Sequence, residues 1–581
     1  MRSRSLLRTH ACRFLSVVVL AAVVTACDPP TRPTALQVRG GVEQLHVVNA
    51  TPATAVTVAG GPNAIAVSAQ TNAEGAYLLR GIEPGPGYTV TVGGTSTEVT
   101  VLTGEEQSTL FSLTDGAMPP TSDHYVLVRD GTLLDYRVDL PAGVEAASLR
   151  SEENPEGSTV DAVVMYSGYR PALNPSEKWE ERQRSLLLAE GYAVVGVNMR
   201  GTGCSGGSFD VMEPSTASDG YDVIETLGAQ SWVDGVAMAG ASWLGLSQLW
   251  VGAMRPPSLD AIAPGLVAAD FFHDVFWRGG INRSGFALWW GGGRDATNKF
   301  PSAYGEPGME PALPADPGTT CRWNQALRSF NVSSVDRFTS LPEYSSEPPG
   351  WRALWPDRPT SYWQDRTIDV STIEVPTMLV TAWQDEQVGS RPYGLLDEFD
   401  PATPVRFVGT NGSHSAYISG DVWTRVAEFL DVYLDGDPVS IADYEAEPAL
   451  DILLESDDAF DSAVALEMDA PSDAAATTYD LGGELMADGP DPAGTTSTFA
   501  YSGGNRAWIE STADDATFTT SELGQNLTLA GGATARLRVR ASAPADLQAT
   551  VSEVRADGQE RFVQMGSLRV LPSSPTAWQD V

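Results

Sequence analysis

The chain has 581 residues, a net charge of −39, 42% hydrophobic and 19% charged residues. Its length predicts roughly two to four domains. The acidity excludes a general affinity for nucleic acid, whose phosphates such a surface repels, and reads as a solubility or saline-habitat trait.

Arg2, Arg4, Arg8 and Arg13 precede an uncharged apolar run, Phe14 to Ala26. The run is 13 residues long, too short for a bilayer, which takes about 20. The pattern is an export leader and stands outside the fold. Val24-Thr25-Ala26-Cys27 follows and resembles a bacterial lipobox. The resemblance implies a leader over residues 1–27, with Cys27 lipidated as the mature N-terminus and anchored in a lipid bilayer. An ordinary cleaved leader with an incidental cysteine is the alternative.

Residues 28–35 are Pro-rich and read as a tether. Residues 36–114 turn to Val, Thr, Ala and Gly. Tyr88, Val90 and Val92 alternate with Thr89 and Thr91, the period of a half-buried strand, and Asn72 to Gly75 is turn chemistry. The stretch from Asn72 to Val92 resembles the carboxypeptidase regulatory-like β-sandwich. It carries no catalytic cluster, so it reads as a spacer or adhesive module. Residues 115–123, with Met118-Pro119-Pro120, read as a linker.

From residue 124 to 440 the pattern is that of an α/β domain with a mostly parallel sheet and helices on both faces. Leu134, Tyr136, Val138 and Leu140 alternate with polar residues after an Asp130-Gly131 hairpin turn. Short, mostly apolar runs at 162–165, 193–197, 236–239, 377–381 and 405–408 suit strands buried on both faces. Helical stretches at Trp179 to Glu190 and Trp243 to Met254 lie between them, giving a doubly wound domain. The alternation stops over about 266–370, where Trp277, Trp289, Trp290, Trp323, Trp351, Trp355 and Trp363 cluster. So long an aromatic-rich insertion predicts a helical cap over the site. Asp421 to Leu434 predicts a helix, ended by Asp435-Gly436. Residues 445–581 read as a second all-β domain, with strands near 535–539, 547–554 and 563–570 and a turn at Asp557-Gly558.

Gly240-Ala241-Ser242-Trp243-Leu244-Gly245 joins a predicted strand to a predicted helix. A serine on such a turn needs glycines beside it, because the backbone is strained and closely packed. Ser242 is therefore the candidate nucleophile, and the backbone N–H of Trp243, at a helix N-terminus, a candidate oxyanion donor. Of five histidines, only His414 lies in a loop directly after a late apolar strand, where an imidazole base belongs. Asp385 ends the preceding strand, with Glu386 as its alternative. The order Ser, Asp, His is that of α/β-hydrolases. Cys204 and Cys321 pair in a disulfide or stay as buried thiols. No CxxC, HExxH or paired-His spacing occurs, which predicts no zinc site and no cofactor.

Arg129-Asp130-Gly131, Gly191 to Val195, Arg200-Gly201-Thr202-Gly203 with Ser205 and Gly206, Asp219-Gly220-Tyr221-Asp222 and Gln230-Ser231-Trp232 go further. With the Ser242 turn, they resemble the cocaine esterase and Xaa-Pro dipeptidyl-peptidase group of α/β-hydrolases, from about Tyr125 to the C-terminus. The resemblance implies the triad Ser242, Asp385, His414 and an oxyanion tyrosine, here Tyr169 with Tyr166 as alternative. Gly168 stands where the group often has proline, Trp243 where it usually has tyrosine, and Asn198 where aspartate is usual. The resemblance also implies a C-terminal jelly-roll that extends beyond the length present here, raising the expectation of an incomplete domain. The activity implied is hydrolysis of a small ester or amide through an acyl-serine intermediate, with an Xaa-Pro dipeptidyl-peptidase acting on short peptides as the alternative. A non-catalytic surface lipoprotein is the competing class, and the presence of all three triad residues argues against it.

Overall fold

A computed structural model describes residues 35–104, 118–121, 124–173, 178–298, 321, 324–334, 337, 361–456, 459–471, 479–481, 485–486, 517–524 and 527–581. The leader, Cys27, nearly all of the tether and most of the 115–123 linker lie outside them, as do Trp323, Trp351 and Trp355.

Residues 37–101 form two antiparallel sheets. One joins Gln37–Gly41, Gln44–Val48 and Tyr77–Arg80; the other joins Ile65–Gln70, Ala55–Gly60, Gly85–Val92 and Thr95–Val101. Tyr88, Val90 and Val92 face inward, as their alternation requires, and meet Leu45, Val47, Val56 and Val58 in a separate core. The sandwich, which the sequence reads as a spacer or adhesive module, is docked on the central domain. The Arg39 guanidinium donates to the Gly131 carbonyl. Gln44 Nε2 donates to Glu213 at 2.6 Å, Arg80 bonds Glu213 at 3.2 Å and the Phe330 carbonyl at 2.8 Å, and Asn72 reaches the Ala326 carbonyl at 2.9 Å.

The central domain holds one ten-stranded sheet. Its strands are β1 (His124–Leu127), β2 (Leu133–Asp139), β3 (Val160–Ser167), β4 (Ala193–Asn198), β5 (Val233–Ala241), β6 (Ala261–Gly265), β7 (Thr377–Ala382), β8 (Val405–Thr410), β9 (Leu450–Ser456) and β10 (Ala459–Met468). The order is β10-β9-β8-β7-β6-β5-β3-β4-β2-β1. The pairs from β4 through β9 are parallel; β1, β2 and β10 add antiparallel edges. The Asp130-Gly131 turn joins β1 to β2, with Gly131 at φ +79°. Residues 450–468, grouped with the C-terminal β domain in the sequence, instead extend this sheet. Leu450 and Ile452 are buried where they pair with Phe407 and Gly409 of β8, so the edge of the core continues past residue 445.

Helices α1 (Lys178–Glu190), α2 (Pro214–Gly228), α3 (Trp243–Ala253), α4 (Gly420–Asp435) and α5 (Pro438–Glu445) flank the sheet. In α4, Trp423, Val426, Leu430 and Tyr433 lie on the buried face, and Gly436 ends the helix at φ +65°. That left-handed cap favours glycine. The described part of the insertion consists of short helical turns, including π-helical ones at Phe272–Phe276 and Ala287–Gly291. Cys204 and Cys321 are disulfide-bonded, with sulfurs 2.01 Å apart. In the C-terminal β domain, Ala545–Val554 and Glu560–Val570 form a hairpin, and Arg538–Val539 pairs with Gln579–Asp580.

Candidate active site

The site stands at the carboxyl ends of the parallel strands, where the order changes: β3 lies between β4 and β5, so neighbouring connections leave in opposite directions and open a crevice. Ser242 follows β5 at φ +63° and ψ −128°, an uncommon conformation for a residue with a side chain. The surroundings hold it there. Its N–H donates to the Gly265 carbonyl at 2.9 Å, and its carbonyl accepts from Leu246 at 2.8 Å. A Cβ at Gly240 would lie 2.7 Å from the Leu244 Cβ, and one at Gly245 would lie 2.6 Å from Val267 Cγ1. The flanking glycines thus let strand and helix close on each other. Gln183 accepts the Ala241 N–H at 2.9 Å, and the Tyr417 hydroxyl joins the Gly240 N–H to the Ala263 carbonyl.

The structure brings Ser242, Asp385 and His414 to one place. His414 Nδ1 lies 3.0 and 2.9 Å from the two Asp385 carboxylate oxygens. His414 Nε2 is buried and has no hydrogen-bond partner among the described residues. Ser242 and His414 line one cavity with Trp243, Leu246, Leu266, Phe271, Val275, Phe286, Trp290, Gln387 and Val388. Asp385 is buried and accepts the Gln387 N–H at 2.7 Å. Glu386, the alternative acid, does not reach the imidazole ring; its carboxylate accepts the His414 backbone N–H at 3.1 Å. The chain turns here, with the Asp385 N–H on the Ala382 carbonyl and the Gln387 N–H on the Asp385 carboxylate, and it is the Asp385 carboxylate that faces Nδ1.

Tyr169 lies in the loop after β3, its hydroxyl 3.2 Å from Ser242 Oγ. Burial pushes its phenol up, opposed by the Arg294 guanidinium and by bonds to Ser242 and Trp290, so it remains a proton donor at neutral pH. Tyr166 is not in this position. It ends inside β3, and its hydroxyl donates to the Thr216 carbonyl of α2 at 3.0 Å. Trp243 opens α3, and a helix-opening N–H has no partner within its helix.

Several contributors carried no recognisable sequence signal. Gln384 ties the acid loop to the histidine loop, donating to Asn411 at 3.1 Å and accepting the Gly412 N–H at 2.8 Å. Arg283 donates to the Glu386 carbonyl at 2.6 Å, and Arg278 to the Gln387 carbonyl at 3.1 Å. Burial, then Arg283 alongside, lowers the Arg278 guanidinium to about 10, still cationic at neutral pH. Asn198, where the related group has aspartate, donates to Asp135 at 2.7 Å; a second carboxylate there would repel the first.

Comparison with known proteins places these elements in context. Residues 130–416 match the X-Pro dipeptidyl-peptidase (S15 family) profile, and residues 454–578 match that of the X-Pro dipeptidyl-peptidase C-terminal non-catalytic domain. The chain is similar to the cocaine esterase of a Rhodococcus species, 30% identical over 164 residues, 28% of this chain and 26% of the relative. The matches to curated relatives cover only 26–29% of those proteins' own length. Among solved structures, an aminopeptidase from a marine-sediment Thaumarchaeota archaeon superposes with a TM-score of 0.53 at 17% identity, covering 82% of this chain and 87% of the other. An α-amino acid ester hydrolase does so with a TM-score of 0.54 at 17% identity, covering 80% and 87%. At that identity the superpositions establish the fold.

Proposed function

The chain belongs to the X-Pro dipeptidyl-peptidase (S15) family, and from that premise we propose that it is a serine hydrolase cleaving small esters of apolar acids through an acyl-Ser242 intermediate. The observation that carries this is the shared cavity: Ser242 and His414 both line it, His414 Nε2 has no hydrogen-bond partner among the described residues, and Nδ1 is held by Asp385.

His414 Nε2 takes the Ser242 hydroxyl proton as Oγ bonds to the carbonyl carbon. The carbonyl π pair moves onto oxygen, and the Trp243 N–H and Tyr169 hydroxyl stabilise that charge. The C–O bond to the leaving group breaks as the His414 imidazolium returns the proton to it. Water then attacks the acyl-enzyme with His414 as base, releasing the acid and restoring Ser242. Asp385 holds Nδ1 protonated and stabilises the imidazolium.

The aromatic and aliphatic lining of the cavity supports an apolar acyl group. Among the described residues, none of those lining it is a carboxylate that would hold a peptide's α-amine, which favours the esterase over the dipeptidyl-peptidase reading. Turnover of a p-nitrophenyl ester and of Gly-Pro-p-nitroanilide, each with Ser242→Ala as control, tests this: Ser242-dependent cleavage of the ester alone is expected. Cleavage of the anilide alone would replace the reading with a peptidase. The leader-like N-terminus and the disulfide support export to the bacterial cell envelope with Cys27 as lipid anchor; mass spectrometry of the membrane-extracted N-terminus tests that.

A further inference from the structure

Resting on the serine-hydrolase reading, we propose that Trp290 is a positioning residue for the oxyanion site: its indole N–H fixes the Tyr169 hydroxyl so that the phenolic proton is presented to Ser242 and to the oxygen that becomes the oxyanion. Trp290 Nε1 donates to the Tyr169 hydroxyl oxygen at 2.9 Å, and the same oxygen lies 3.2 Å from Ser242 Oγ. An indole N–H only donates, whereas a phenol both donates and accepts. With its acceptor side taken by Trp290, the Tyr169 hydroxyl has its single proton left for the Ser242 side. In a buried site of low dielectric, each bond of such a chain polarises the next. The N–H therefore strengthens the donor that faces the developing charge.

Packing makes this arrangement specific. Trp290 is buried in the Ala287–Gly291 turn of the insertion, its ring centroid 5.1 Å from that of Trp243. Trp243 in turn meets the Tyr169 ring edge-on at 5.3 Å, and Phe286 stacks on Trp290 at 6.1 Å. The Arg294 guanidinium, 4.7 Å from the Tyr169 ring centroid, comes from the same insertion. The orientation of the hydroxyl is thus set by the insertion, while its position is set by the end of β3.

The test is a double-mutant cycle on Ser242-dependent ester turnover. Tyr169→Phe removes an oxyanion donor and is expected to lower kcat about 100-fold. Trp290→Phe keeps an aromatic ring without the N–H; it is expected to lower kcat about tenfold, and to cost nothing further in kcat in the Tyr169→Phe background. An equal loss in both backgrounds, or an unchanged kcat in the Trp290→Phe enzyme, overturns the proposal while leaving the serine hydrolase standing. Absence of Ser242-dependent turnover in the unmodified enzyme overturns both. A second measurement needs no change at position 290: Tyr169→Phe is expected to move the Trp290 indole N–H proton resonance upfield as its acceptor is lost. An unmoved resonance contradicts the proposal.

Discussion

The indole of Trp243 occupies the space that a side chain at position 168 would need: a Cβ on Gly168 would lie 2.3 Å from Cη2 and 2.6 Å from Cζ2 of Trp243. Glycine at position 168 therefore gives the Trp243 indole its room. Gly168→Ala is expected to overpack this contact, at a cost of about 1–3 kcal/mol, and to lower kcat by displacing Tyr169. Adding Trp243→Phe, which removes the far ring, should restore much of both. Thermal unfolding and ester turnover of the single and double variants measure it; losses that simply add would show the two positions to be independent.

The neighbouring carboxylates Asp385 and Glu386 have separable duties. Asp385→Asn leaves the acid loop in place but no longer favours the His414 tautomer with a proton on Nδ1, and a loss of about 10⁴ in kcat is expected. Glu386→Gln keeps an acceptor for the His414 backbone N–H and is expected to cost less than about tenfold, a single hydrogen bond's worth. Steady-state kinetics of the two variants decide it. Equal losses would mean that the loop as a whole, and not the Asp385 carboxylate, sustains the imidazole.

Much of this site was legible because strand ends and helix starts leave local marks. The runs before Ser242, Asp385 and His414 are mostly apolar, as suits strands covered on both faces, so each residue could be placed at a carboxyl end. The hairpin glycine, the terminating Gly436 and the alternation through Tyr88, Val90 and Val92 were equally local. Trp290, Gln384 and Arg283 were not, because their roles depend on an insertion and on loops meeting across the sheet. The docking of the N-terminal sandwich was hidden for the same reason: Gln44, His46 and Arg80 lie in a segment with no catalytic cluster, and only contact with Asp130, Glu213 and Phe330 gives them a role. Strand pairing placed β9 and β10 in the central sheet, although an apolar run after residue 445 reads equally well as a start of the next domain.

That docking predicts a stability profile. His46 is buried against Gln44, with Asp130, Arg39, Arg200 and Arg80 around it. Burial, aided by the three arginines against the pull of Asp130, lowers its imidazole to about 3, so it is neutral in the folded protein. The unfolded chain takes up that proton near pH 6.5. Between these values the unfolded state binds more protons, so stability falls as pH drops from about 6.5 toward 3. Burial would raise the Asp130 carboxyl, but the Arg200 and Arg39 guanidinium groups hold it below the usual carboxylate range; its contribution is present above the unfolded carboxylate value and is lost below it. His46→Asn is expected to flatten the fall in unfolding temperature between pH 7 and pH 5. A variant whose profile parallels the parent would show that His46 does not govern it.

The central claim is that Ser242 is a nucleophile activated by His414. Intact-mass and peptide mass spectrometry after exposure to a fluorophosphonate tests it most directly, with His414→Ala as comparison. One phosphonyl adduct on the Ser242 peptide, formed at least about 100-fold faster than in His414→Ala, is the predicted result. No adduct on Ser242 in the folded protein, or labelling at the same rate without His414, would contradict the account.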